Sequence, residues 1–358
     1  MSKFRVLAFL FLFLLKLCNE VYGGCNITLN SDLGNPSPVY IHNGGFLAPN
    51  SSSGAILLRR SETLEVACPG DRKFVVLGND STEYQIFAVK CVKDTTFRAT
   101  KTPWVGTLKD IRCNAPPWFT TELTGASCSG AHRIYRIGYR IGSKFYELYE
   151  ACFDEVLLRT LYVKQQLKPE SKFIQTGRRS SFVEGDVFGK VKMSKAYKIE
   201  NQKLRLKEIL GSGMEDKYVT KSQALRRRVH AYGRAVTVYT GTNGICTLPD
   251  SSDVHRQVYL TTDQNNNRVV PVPMYFYKVV YDPTKQTAVA FISINSSYYN
   301  NSMIDELAFC DDVCEHNPQF SWLRWRPKDG THSFCCNYED FVKTIHDLPK
   351  LNVRGLFY

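Results

Sequence analysis

Twelve cysteines in a chain that opens with a secretory leader restrict the possible folds more than any other feature, because such a chain folds where thiols are oxidised. Lys3 and Arg5 precede an apolar run from Val6 to Leu15, and Val21-Tyr22-Gly23 offers a cut near Gly23, so residues 1–23 are expected to be a signal peptide. That run is too short to span a bilayer, and no later stretch reaches spanning length without charge. The expectation is therefore a secreted, extracellular product with no membrane partner. Removing the leader takes away Cys18 and leaves Cys25, Cys68, Cys91, Cys113, Cys128, Cys152, Cys246, Cys310, Cys314, Cys335 and Cys336. Eleven is odd, so one thiol stands outside the intrachain bridges or pairs between chains. Cys310-x3-Cys314 with Cys335-Cys336 imitates a zinc spacing, but adjacent cysteines seldom both reach one tetrahedral ion, and disulfides are the expectation.

Charge is concentrated in one place. Between Lys172 and Arg234 there are 16 Lys and Arg against 6 Asp and Glu, and this local excess equals that of the whole mature chain. The remainder is neutral. A field of one sign confined to one segment attracts a polyanion, and nucleic acid is the commonest polyanion whose affinity depends on such neutralisation. Five Asn-x-Ser/Thr sequons, at Asn26, Asn50, Asn79, Asn295 and Asn300, are compatible with surface glycans, and none lies in the basic segment.

Periodicity divides the chain into a disulfide-rich β region over residues 24–142 and a second domain over residues 143–358. Thr63-Leu64-Glu65-Val66-Ala67 and Lys73-Phe74-Val75-Val76-Leu77 alternate as half-buried strands do. Arg140 to Phe153 and Val156 to Leu167 are rich in aromatic and β-branched residues, and Pro169 breaks the pattern. Further strands are expected at Ala235 to Tyr239, Val269 to Val272, Phe276 to Tyr281 and Ala288 to Ile294, separated by turns such as Thr242-Asn243-Gly244 and Asp282-Pro283. Glu339 to Ile345 reads as a helix that stops before Pro349. Within the basic segment, Glu215 to Ala231 has no Gly or Pro and fits a helix, on which Arg226, Arg227 and Arg228 cannot all point at one ligand because successive residues turn about 100°. The coarse class is α+β, with a mixed or antiparallel central sheet and flanking helices. A weaker basic stripe, His132-Arg133-Ile134-Tyr135-Arg136-Ile137-Gly138-Tyr139-Arg140, reads as a solvated sheet edge. The remaining histidines, His42, His230, His255, His316, His332 and His346, show no metal-like pair spacing.

Several pieces resemble the DNA/RNA non-specific endonuclease family in its secreted insect form. They are Val238-Tyr239-Thr240-Gly241-Thr242-Asn243-Gly244, Val272 to Val280 and Ala290 to Asn295, with Cys25-x6-Asp32-Leu33, Ala67-Cys68-Pro69-Gly70 and Ser333-Phe334-Cys335-Cys336. The similarity runs over nearly the whole mature chain and is nearest in flavour to nuclease-related proteins of tsetse saliva. It implies a ββα-metal core, in which a strand delivers Arg-Gly-His and a helix delivers an Asn ligand for one Mg²⁺. A neutral His accepts a proton from water near pH 7, the cation stabilises charge growing on the phosphate, and an amide oxygen suits a hard ion.

This chain departs from that pattern at the chemistry. Phe182-Val183-Glu184-Gly185-Asp186-Val187-Phe188-Gly189-Lys190 matches the spacing of Phe-x-Arg-Gly-His, which places Glu184 at the arginine and Asp186 at the general base. The resemblance puts Met214 at the metal-binding Asn. An Asp with a reference pKa of about 3.9, against about 6.5 for His, is a poor base, and a thioether is a poor partner for Mg²⁺. Binding uses other groups. Lys190, Lys192, Lys195, Lys217, Lys221, Arg226, Arg227 and Arg228 are the candidates to neutralise phosphates without sequence preference. The expected function is capture of DNA and RNA with little or no hydrolysis, with Mg²⁺ the one cofactor that the resemblance implies. Two alternatives are a working Mg²⁺-dependent nuclease, with Asp186, Glu215 and Asp216 as a rebuilt carboxylate site, and a heparin-type polyanion binder.

Overall fold

The structure, a computed structural model, describes residues 23–49, 53–169, 185–198, 200–202, 204–205, 233–250, 252–295, 301–315, 317–323 and 332–358. Its chain divides into two compact units, one comprising Met1–Thr120, Gly138–Tyr146 and Glu170–Ser180, the other Thr121–Ile137, Glu147–Pro169 and Ser181–Tyr358. Both are built mainly of antiparallel strands. The signal peptide and the helix expected over Glu215 to Ala231 lie outside the described residues.

In the first unit, β1 (Cys25–Thr28) pairs with β4 (Ala55–Leu58). A six-stranded sheet runs through β2 (Val39–His42), β3 (Gly45–Phe46), β5 (Thr63–Ala67), β8 (Ile86–Lys93), β9 (Thr96–Ala99) and β10 (Val105–Thr107). A three-stranded sheet adds β6 (Val75–Leu77), β7 (Asp80–Ser81) and β11 (Ile111–Cys113). The alternation read at Thr63 to Ala67 appears as burial, with Leu64 and Val66 fully enclosed and Thr63 exposed. Phe87, Phe97, Leu108 and Ile111 complete this core. Cys25–Cys91 and Cys68–Cys113 close loops of 66 and 45 residues through it. By the loop-closure relation each contributes about 4 kcal/mol, which matters for a small β module with limited apolar area.

The second unit is organised on a nine-stranded sheet. Its order is β12 (Thr120–Cys128), β13 (His132–Ile141), β14 (Lys144–Asp154), β15 (Arg159–Leu167), β16 (Val236–Asn243), β21 (Tyr275–Asp282), β22 (Thr287–Ile294) and β23 (Ser333–Cys336), with β24 (Gly355–Leu356) parallel to β22. Between β16 and β21 the chain leaves the sheet to form two small hairpins, β17 (Thr247–Pro249) with β18 (His255–Gln257), and β19 (Tyr259–Thr262) with β20 (Arg268–Pro271). The stripe at His132 to Arg140 is interior to the sheet, because β12 covers its outer side. Arg136 is held by Glu122 at 2.8 Å, so the solvated edge read from the sequence is displaced by one strand.

Two cores lie on opposite faces. Tyr162, Tyr239, Tyr277, Val279, Ala290 and Ile292 pack with Phe341 of the helix α3 (Tyr338–Thr344) and with Ile345 at its C-cap; the buried helix positions 338 and 341 share one face. Asn337 caps that helix by accepting from the Asp340 backbone N–H at 2.9 Å. On the reverse face Val236, Val238, Val280 and Val289 meet Phe320 and Phe357. Val279 and Val280 are thus both fully buried, which accounts for the unbroken apolar run in β21. Two shorter helices are α1 (Met193–Ala196) and α2 (Asn301–Leu307), and residues 200–202 and 204–205 are also helical. Helix is scarce among the described residues, so the fold there is mostly β, short of the α+β balance expected from the sequence. Where the sequence pattern predicts strands, long alternating runs supplied that signal; the expected helical share rests on residues 215–231, which are not described.

Gly241 of β16 shows why one motif residue is small. A Cβ there would stand 2.2 Å from the Leu161 carbonyl oxygen and 2.4 Å from the Tyr277 hydroxyl. Tyr277 crosses that position to donate to Leu161 O at 3.1 Å. Three bridges serve this unit: Cys128–Cys152, Cys310–Cys336 and Cys314–Cys335. Cys336 belongs to the α3 core and Cys335 to the opposite one. The eleventh cysteine, Cys246, is buried outside these bridges, with its thiol 3.5 Å from Asn295 O.

Candidate nucleic-acid interface

Alternation builds the basic surface that the structure describes. Across Lys190-Val191-Lys192-Met193, the apolar residues turn inward against Ala196, Leu260, Val269 and Val270, and the lysines remain exposed. Ala196 is 3% exposed, so the single turn α1 is pinned by its last residue. Asn201 adds a polar tie, donating to Ala196 O at 2.9 Å and to Leu260 O at 2.8 Å. Lys190, Lys192 and Lys195 consequently project from one anchored stretch, and none has a carboxylate partner among the described residues. That leaves three positive charges available to an external anion.

Immediately before them, Asp186 opens a 3-10 turn, Asp186–Phe188. Phe188 meets the edge of Phe153 at 5.4 Å between ring centroids, and Phe153 meets Tyr135 at 6.1 Å. Gly185 lies close enough to β12 that a Cβ would be 3.8 Å from Thr121 Oγ1. Side chains alternate across a strand, so Thr121, Arg133, Tyr135, Phe153 and Glu155 share the face under this turn, and Glu122, His132, Arg136 and Asp154 share the other. Glu155 accepts a hydrogen bond from the Tyr135 hydroxyl and lies 3.9 Å from Arg133 Nε. Burial, reinforced by that carboxylate, pushes the Tyr135 phenol up to about 12, so it remains a proton donor at neutral pH.

Asp186, Lys190, Lys192 and Lys195 are therefore neighbours in one short segment over the sheet. Glu184, Met214, Glu215, Asp216, Lys217, Lys221, Arg226, Arg227 and Arg228 lie outside the described residues. Arg133, Tyr135 and Glu155 escaped sequence reading as parts of this surface because their place depends on which strand face the Asp186 turn covers. Strand parity within His132 to Arg140 holds half of that signal; the long-range placement of Phe188 on Phe153 supplies the rest.

The side chains that the resemblance assigns to a single hard cation, Glu184, Asp186, Met214, Glu215 and Asp216, lie outside the described ones. One group of metal-type side chains comes together among the described residues, Asp312 with Cys314 and Cys335. Those two sulfurs are joined to each other, and Asp312 Oδ1 accepts from the backbone N–H of Cys314 at 3.0 Å and of Cys335 at 3.1 Å, so the carboxylate shapes a turn. Of the sequons, Asn26 and Asn79 are exposed, whereas Asn295 is half-buried and donates its amide to Pro273 O at 2.8 Å. Asn50 and Asn300 lie outside the described residues.

Comparison with known proteins places residues 223–341 in a match to the family model for DNA/RNA non-specific endonucleases. This span covers β16 through β23 and most of α3, and it begins after the Asp186 turn. The chain is 24% identical over 358 residues to a protein named salivary endonuclease from Lutzomyia longipalpis, covering 86% of this chain and 79% of that one. It is 22% identical over 392 residues to salivary protein Tsal2A of Glossina morsitans morsitans, covering 94% and 95%.

Proposed function

We propose that the protein, whose residues 223–341 match the family model for DNA/RNA non-specific endonucleases, is a secreted member of that family that binds DNA and RNA without sequence preference and hydrolyses them little or not at all. The observation that carries this reading is the anchored stretch whose Lys190, Lys192 and Lys195 ammonium groups lack carboxylate partners among the described residues. Unpaired lysines held on one surface neutralise phosphates and release counterions, a term indifferent to base sequence. Secretion is supported by five disulfides and by the salivary names of both relatives. In the binding surface, Lys217, Lys221 and two of Arg226, Arg227 and Arg228 extend the grip on phosphate.

Catalysis is weak in this reading because three parts of the family's machinery change at once. Asp186 replaces the histidine base, Glu184 puts a negative charge where an arginine steadies phosphate, and Met214 offers sulfur where a hard ion takes oxygen. Each alteration raises the barrier, and a carboxylate base with a reference pKa near 3.9 accepts a proton from water poorly at pH 7. Gel-shift assays in EDTA on plasmid DNA and RNA test this: retention in EDTA followed by no digestion when Mg²⁺ is restored is the expected result. Absence of retention at low salt would end the reading.

A second reading is favoured by the name of the Lutzomyia relative, which describes that protein as an endonuclease. Here Asp186, Glu215 and Asp216 form a carboxylate set that recruits Mg²⁺. It requires metal-dependent digestion that Asp186→Ala abolishes.

A further inference from the structure

Tyr197 stands in the middle of the lysine-bearing stretch, and phosphate neutralisation makes no use of it. At 56% exposure it is the most exposed aromatic residue among the described ones. Its position is fixed through the backbone on both sides. Its N–H donates to Met193 O at 3.0 Å, and its carbonyl accepts from the Gln202 side-chain amide at 2.8 Å. Ala196, one position earlier, is the residue turned into the apolar cluster with Leu260, Val269 and Val270. Successive residues of a helical turn lie about 100° apart, so Lys195 and Tyr197 leave the protein on opposite flanks of Ala196. Between Lys190 and Gln202 four lysines, Lys190, Lys192, Lys195 and Lys198, all exposed, stand against a single acid, Glu200. The Tyr197 hydroxyl bonds to none of the described residues.

An aromatic ring held in water forgoes the burial energy that its size could supply, and here it does so among ammonium groups that attract a sugar-phosphate chain. We propose that one unpaired base of DNA or RNA stacks on Tyr197, so that single strands gain an affinity at the lysine stretch that duplexes do not. This rests on the polynucleotide reading above and narrows its ligand. In a duplex the base faces are already stacked on one another and only their edges reach the grooves, so a protruding phenol meets a face only after a step has been unstacked at a cost in free energy. In a single strand the faces are open. Lysines alone favour the opposite ligand, because a duplex presents its phosphates more densely than a strand does. Every base has a face of this kind, so the contact adds affinity without adding sequence preference. The ring meets the base and not the sugar, which makes ribose and deoxyribose strands equivalent to it.

Fluorescence anisotropy on the mature chain is the test, with labelled oligothymidylate, the abasic deoxyribose-phosphate chain of equal length, and a duplex of equal phosphate count. The thymine strand is expected to bind about tenfold tighter than the abasic chain, the equivalent of about 1.4 kcal/mol for one stacked base. Tyr197→Ala should remove that margin and leave the abasic chain and the duplex bound as before. Tyr197→Phe keeps the ring and should retain the margin, and oligouridylate should follow the thymine strand. No margin in the wild-type chain, a margin that survives Tyr197→Ala, a loss shared equally by the duplex, or a Phe variant as weak as the Ala one overturns the proposal and leaves the phosphate grip of the lysines standing. Failure of the wild-type chain to retain any of the three ligands at low salt removes that grip, and the stacking proposal with it.

Discussion

Asn201 donates its side-chain amide to the Leu260 carbonyl at 2.8 Å, joining residues 59 apart in sequence and fastening the lysine-bearing turn to β19. A second proton of the same amide serves Ala196 O, so one side chain supports both ends of the anchorage. Asn201→Leu is predicted to leave two carbonyls without that donor and to destabilise the turn by about 1–3 kcal/mol. Hydrogen exchange at residues 193–197 should accelerate while β21 and β22 stay protected, and duplex affinity should fall at unchanged global unfolding temperature.

Replacing Lys190, Lys192 and Lys195 together by alanine is predicted to weaken polynucleotide binding to the same degree on every sequence. The slope of log K against log salt on duplex DNA should flatten by about 0.9 for each phosphate that the variant no longer neutralises. Filter binding at several salt concentrations measures it. A change confined to some sequences would point to base readout.

Gly241→Ala is predicted to destabilise the second unit by about 1–3 kcal/mol or more, because the new methyl meets backbone at Leu161 and the ring of Tyr277. Thermal unfolding by circular dichroism provides the measurement. Tyr277→Ala in the same chain should relieve part of the clash, giving a double-variant cost below the sum of the single ones.

Cys68→Ala with Cys113→Ala removes a bridge closing a 45-residue loop, with a predicted cost of about 4 kcal/mol to the first unit. Urea unfolding followed by the tryptophans of that unit, Trp104 and Trp118, is the readout.

Alkaline pH should act through Tyr135 and Tyr162, both pushed up to about 12 from 10.0. A raised folded-state value means the folded protein holds its proton where the unfolded chain releases it, so the stability is complete below pH 10 and is lost progressively toward pH 12. Unfolding midpoints in urea between pH 9 and 12 should show this decline. Tyr162→Phe should flatten it.

Legibility in the sequence followed the range of the physics. Strands β5, β16, β21 and β22 and the helix α3 were readable because local alternation, helical spacing and turn residues coincide with their burial. Asp312 was not readable as a structural group, since its role depends on backbone N–H donors 2 and 23 residues away. Similarly, Asn295 satisfies a sequon locally, but its amide is taken by Pro273, an interaction set by the β21–β22 pairing. The charged segment was legible as composition, and only the packing of Ala196 shows which of its lysines are held.

Adjacent residues of a strand point to opposite faces, so Cys335 and Cys336 send one sulfur through each side of β23, to Cys314 and Cys310 respectively. This outermost strand is riveted front and back. A slip of one position would carry each sulfur away from its mate, so the oxidised protein has a single permitted pairing at the margin of the sheet. Such a margin cannot readily peel off to template another chain.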